Sequence, residues 1–192
     1  GYLRQFDTEK TIWENMREKV LTKGTLMNSD PELIIAEEVQ EPQHYLTILK
    51  AIGSGRTKFA EIISASNLEA NIVTKYLDVL MKLRWVRREV SITEDKENSK
   101  KGSYVLADSY FRFYYSFIFP NLSAMEGGQV DLLLKTIQEG FPYFVSKIYE
   151  DTTQEFIKTA IQNGKLPAFY EFGRWWDKET EIDLVGLNKF DN

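Results

Sequence analysis

The chain has 192 residues and a net charge of −5, with 43% hydrophobic and 28% charged side chains and no cysteine. This is the composition of a folded globular chain, and it excludes disulfides and thiolate metal centres. No apolar run approaches the ~20 residues of a membrane span and no signal peptide opens the chain, so a cytoplasmic location is expected. The single histidine, His44, lies at a polar helix start and reads as solvated, which leaves little for histidine-based catalysis. Gly1 opens without an initiator Met in helix-like sequence, as in a fragment or a trimmed chain.

Thr11-Ile12-Trp13-Glu14 is a capping box that predicts a helix to about Lys23, closed by Gly24. Ser29-Asp30-Pro31-Glu32 predicts a second helix over about 31–40, with Pro at its first position. Pro42 opens a third helix to about Ile52, ended by Gly53-Ser54-Gly55. Thr57 caps a short fourth over 58–64. A capping box at Ser66-Asn67-Leu68-Glu69 starts a fifth, to about Leu83, with Ile72, Tyr76, Leu77, Leu80 and Leu83 on its buried stripe. The period then changes to two: 85–92 and 103–107 read as strands around the charged turn 93–102. Asp108 caps a helix of unusual content, SYFRFYYSFIF, which ends at Pro120. Aromatics on nearly every face predict that this helix is buried as a rigid joint. A linker over 121–128 and helices over 129–139 and 142–162 follow. Gly53-Ser54-Gly55-Arg56-Thr57-Lys58 lacks the spacing of a phosphate loop and follows a helix rather than a strand, so it is a helix-to-helix turn.

The third to fifth helices and the hairpin after them match a winged helix-turn-helix. Residues 42–106 carry eleven basic and seven acidic side chains, net +4, while 1–41 carry −4 and 107–192 carry −5. Residues 42–106 are therefore the expected nucleic-acid surface. The fifth helix would be the recognition helix, with Asn71, Thr74, Lys75 and Asp78 outward; Asn can read adenine and Lys can meet phosphate or guanine. Arg87 and Arg88 at the strand entry, and Lys96, Lys100 and Lys101 on the wing, would add phosphate contacts. The same fold also serves protein partners, and fold alone does not choose between them.

The stretch 169–187 predicts a hairpin turned by Asp177-Lys178-Glu179-Thr180. Glu181 and Asp183 are two apart in its second strand, so both carboxylates share one face. Trp175 and Trp176 should lie on opposite faces, one packed against the preceding helix. That helix carries Glu150 and Asp151, and Glu150 is expected to approach Asp183. A helix acid followed by a hairpin acid is the front half of a metal-dependent nuclease core, since Mg²⁺ takes oxygen ligands and acts on phosphates. A strand with Glu-x-Lys, which would complete that core, does not occur before Asn192.

Five stretches in order, GYLRQFD, EEVQEPQHYLTILKAIGSG, TKYLDVLMKLRWVRREV, KKGSYVLADSYFRFYYSFIFPN and GRWWDKETEIDLV, resemble the archaeal-type P-loop ATPases, relatives of signal-transducing ATPases, in the part after the nucleotide-binding domain. The resemblance implies the tail of a helical lid over 1–41, a winged helix over 42–119 and a partial PD-(D/E)XK nuclease-like domain over 120–192. The fold class is then mainly α with small β hairpins (α+β), a winged helix-turn-helix followed by an incomplete nuclease-like α/β domain. The resemblance places the nuclease acids on Glu150 and Asp183, ATP and Mg²⁺ in the parent protein, and duplex DNA and the ATPase domain of the same protein among the partners. The expected role is a non-enzymatic C-terminal region whose winged helix binds DNA weakly, without a metal or cofactor of its own. The alternatives are a protein-interaction module without DNA contact, and a nuclease rendered inactive by truncation.

Overall fold

In a computed structural model, residues 2–177 and 179–188 are described, with the side chains of residues 2–3 and 26–30 left aside. The fold is mixed α+β, mostly helical, with two small antiparallel hairpins. Short helix α1 (Ile12–Asn15) starts at the expected capping box: the Glu14 backbone N–H donates to Thr11 Oγ1 at 3.2 Å, and the Thr11 N–H donates to Glu14 Oε2 at 2.8 Å. It runs on as a π turn over Met16–Val20, so the predicted first helix is shorter and wider than its sequence suggested.

Helix α2 (Leu26–Glu38) begins five residues before the predicted start and carries Pro31 inside it. Pro31 is itself buried, which offsets the one intrahelical bond that its ring cannot make. The Ser29 and Asp30 side chains of the predicted cap lie outside the description. Glu41, in the left-handed region at φ 54°, turns the chain into α3 (Pro42–Gly53), which has Pro at its first position as expected. α4 (Phe59–Ser66) follows, and Glu61 Oε2 accepts from the Lys58 N–H at 3.1 Å.

The predicted capping box at Ser66 does not form. Ser66 ends α4, its hydroxyl donates to the Ile63 carbonyl, and Asn67 at φ 54° makes the turn into α5 (Ala70–Lys82). A short polar residue tolerates that left-handed position, so Asn67 acts as a helix stop rather than part of a start. Val73, Tyr76, Leu77 and Leu80 form the buried stripe of α5, with Ile72 and Leu83 half-buried. His44 is half-buried rather than solvated: its Nδ1 lies 3.1 Å from the Tyr76 hydroxyl, which donates to Glu41 Oε2 at 3.1 Å.

Strands β1 (Val86–Glu89) and β2 (Ser103–Leu106) pair antiparallel and are shorter than predicted. Asp108 caps α6 (Ser109–Phe113) as expected, accepting from the Tyr110 and Phe111 N–H groups. The aromatic run continues as a π turn over Tyr114–Ile118, and Phe111, Phe113, Tyr114, Tyr115, Phe117 and Ile118 are all buried. The expected linker is largely a short helix, α7 (Leu122–Glu126), followed by a glycine turn.

The two last predicted helices are one: α8 (Val130–Gln162) has 33 residues, about 50 Å at 1.5 Å per residue, with Pro142 inside. Aromatic packing flanks Pro142 on both sides. Phe141 meets Trp13 edge-on at 5.1 Å, and Phe144 meets Phe113 and Phe117 at 5.8 and 5.7 Å. Among the described residues no helix is long and apolar enough to cross a membrane.

Strands β3 (Glu171–Trp176) and β4 (Glu181–Leu187) form the predicted hairpin, with an irregularity between Gly173 and Trp175. Lys178 of its turn lies outside the described residues. The outer side of β3 docks on the segment after β1. The Ile92 N–H donates to the Arg174 carbonyl at 2.9 Å, and the Trp176 N–H donates to Ser91 Oγ at 3.2 Å. Trp175 and Trp176 are both half-buried, so neither is the single deeply packed ring that was expected.

Candidate functional site

The outward face of α5 is as the helical period predicts: Asn71, Thr74, Lys75 and Asp78 are all exposed. Thr74 Oγ1 donates back to the Ala70 carbonyl at 2.9 Å, and the Lys75 ammonium lies 5.5 Å from the Tyr76 ring centroid.

The basic residues around the first hairpin are arranged differently from the sequence expectation. Arg88 turns into the loop and donates to the Lys96 and Ser99 carbonyls. Lys96 pairs with Glu171 at 3.1 Å and Lys101 with Glu94 at 2.5 Å. Arg87 points at α8, where its Nη2 lies 2.7 Å from Asp151 Oδ1, and its Nε donates to Glu89 at 2.7 Å. Among the described residues, no ion pair or hydrogen bond engages the ammonium of Lys75 or of Lys100. Of the eight residues expected to touch nucleic acid, Asn71, Thr74, Lys75 and Lys100 face solvent free of ion pairs; Arg87, Arg88, Lys96 and Lys101 have partners within the chain.

Around Arg87 a ring of ion pairs joins three elements. Arg87 on β1 holds Asp151 on α8 and Glu89 on β1. Arg174 on β3 holds Glu89 at 3.5 Å and Glu150 on α8 at 2.8 Å. Glu150 and Asp151 are consecutive, so the ring closes through α8. Arg112 of the aromatic segment joins from the side at 2.7 Å to Asp151, Lys147 at 3.0 Å to Glu150, and Glu181 at 3.5 Å to Arg174. Four cations face four carboxylates, so the cluster is neutral as a whole. An open cleft of about 660 Å³ lies over it, between the Gly53–Gly55 turn and α8, with Phe117, Tyr143 and Phe144 in its walls.

The expected nuclease acids lie on α8 (Glu150) and β4 (Asp183). Glu150 is held by Arg174 and Lys147. Asp183 is exposed, and its backbone carbonyl accepts from Gln154 Nε2 of α8 at 3.2 Å. Among the described residues there is no group of three acidic or histidine side chains placed to hold a metal ion. Glu89, Asp151, Arg112 and Arg174 are the residues that sequence reasoning left without a role. A signal for two of them was present: Arg112 sits inside an aromatic run and Arg174 inside an apolar strand. A charge embedded in apolar sequence needs a buried partner.

Burial opposes the charge of Asp151, but its hydrogen bond from Arg87 and the charges of Arg112 and Arg87 outweigh that penalty and hold its carboxyl below the ordinary range. A lowered folded-state pKa gives stability that is full above the unfolded value near 4 and is lost progressively as pH falls through the lower folded value. Asp151→Asn is therefore expected to melt at a lower temperature than the unaltered chain at pH 7, and the gap should narrow by pH 3. A gap that is the same at both pH values would show that the ionised carboxylate contributes no stability.

Residues 114–192 match the family of archaeal and bacterial proteins of unknown function termed DUF234. The match begins inside the aromatic run. The chain is also similar to the uncharacterized protein MJECL04 of Methanocaldococcus jannaschii, 32% identical over 181 residues, which cover 94% of this chain and 40% of that protein. The chain thus spans well under half the length of this relative. No solved structure matches it.

Proposed function

We propose that this chain is the C-terminal part of a longer ATPase-like protein, in which α3 to β2 form a winged helix that touches duplex DNA weakly and without much sequence preference. The observation that carries this reading is the solvent-facing row Asn71, Thr74 and Lys75 on α5, entered through the tight left-handed turn at Asn67, with the unpaired Lys100 on the adjoining hairpin. A recognition helix requires such a row over its first turns. The intramolecular pairing of Arg87, Arg88, Lys96 and Lys101 bounds the affinity, because cations already neutralised release few counterions from DNA. The nuclease-like segment acts in this reading as a strut. Glu150 serves Arg174 and Lys147, and a metal ion would compete with both cations for that carboxylate. ATP and Mg²⁺ belong to the parent protein.

Titration of a fluorescent duplex of arbitrary sequence should give a Kd of roughly 10⁻⁴ to 10⁻⁶ M. Two phosphate contacts predict a log–log salt slope of about −1.8. Changing Lys75 and Lys100 together to Glu should remove the binding for all sequences. No binding at low salt would sink the reading. The same pairing of wing cations favours a second reading, a module that contacts another protein through α5, and that reading would then take its place.

A further inference from the structure

We propose that the ring of Arg87, Glu89, Arg174, Glu150 and Asp151 is a latch that clamps α8 and the β3–β4 hairpin onto β1, and that phosphate reaching Arg87 opens it. The ion pairs of the ring join β1, α8 and β3, three elements far apart in sequence. The ring is also unevenly covered. The Arg87 side chain is 36% exposed, whereas the other four members are between 16% and 22% exposed. A competing anion can therefore approach Arg87 first. Taking Arg87 leaves Asp151 with Arg112 alone and Glu89 with Arg174 alone.

The backbone contact behind the ring is thin. Among the described residues, the Ile92 N–H to Arg174 carbonyl bond, the Trp176 N–H to Ser91 Oγ bond and the exposed Lys96–Glu171 ion pair tie β3 to the segment after β1. Half-buried ion pairs thus do much of the holding, and losing one partner of such a pair leaves the other charge uncompensated. A latch of this kind would convert contact at the first hairpin into freedom of the last one. The closing half of the idea, the phosphate trigger, rests on the DNA reading above; the clamp itself does not.

Amide hydrogen exchange on the full chain separates the two. Asp151→Asn and, independently, Glu89→Gln are expected to raise exchange in β3 and β4 at least tenfold while α3 and α5 keep their protection. Unchanged hairpin exchange in both variants would overturn the latch, and so would a uniform rise across the chain, which reports general destabilisation. Adding a short DNA duplex to the unaltered chain should produce the same local rise. In Asp151→Asn the salt slope of DNA binding should steepen by about 0.9 for each arginine set free. Local exchange in the variants with no DNA binding in any form would keep the clamp and sink both the DNA reading and the trigger.

Discussion

Phe117→Ala is expected to cost about 3–5 kcal/mol, the range for removing a large aromatic ring from a core. Phe117 is 8% exposed and lies at the crossing of the aromatic run and α8. Its ring meets Phe113 at 5.4 Å and Phe144 at 5.7 Å. It also fills the space beside Gly140, where an added Cβ would come within 2.7 Å of it. The void left by Ala would open toward the cleft and loosen α8 next to Pro142, where the helix already lacks one backbone bond. Melting should fall by roughly 6–20 °C for a chain of this size. A loss under about 1 kcal/mol in denaturant titration would show that α8 is seated by other contacts.

Gly53→Ala is expected to destabilise by about 1–3 kcal/mol, opposite in sign to the usual gain from replacing a helical glycine. The Cβ introduced there would lie 2.3 Å from Tyr115 Cβ and 3.1 Å from its Cγ. Those atoms are next to the backbone and cannot swing aside, so α3 and the aromatic run would have to part. Gly173→Ala is the control, since nothing lies within 4 Å of its added Cβ. Denaturant midpoints of the two variants test the difference, and equal midpoints would show that α3 and the run separate without cost.

Elements with a local chemical signature were legible in the sequence. Thr11 with Glu14, Asp108 and the hairpin at 177–180 satisfy backbone groups, and Pro42 removes an unpaired N–H at a helix start; these rules act over a few residues, and each feature stands where it was expected. The misplaced boundaries share another cause. Pro31 and Pro142 look like helix starts, yet tertiary packing keeps both inside longer helices. Ser66 and Glu69 have the spacing of a capping box, but Asn67 between them takes the left-handed turn first. The candidate site was legible only in part. Exposure of Asn71, Thr74 and Lys75 follows from the helical period. Asp151, which holds Arg87, and Arg174, which holds Glu150, lie 64 and 24 residues away along the chain, and no pattern in the sequence registers contacts at that range.

The position of β3 bears on how this chain can be divided. One side of β3 bonds to β4 and the other to Ser91 and Ile92, so the strand belongs to both halves of the molecule. Scission at residue 120, where the composition changes, would yield two pieces with raw edges. The first would carry Ile92 with an unanswered amide and Phe117 without Phe144 over it. The second would carry a two-stranded ribbon held to α8 but stripped of Ser91 and Ile92 along its outer edge. Separate expression of the halves would therefore report on their exposed seams rather than on what either half does within the whole.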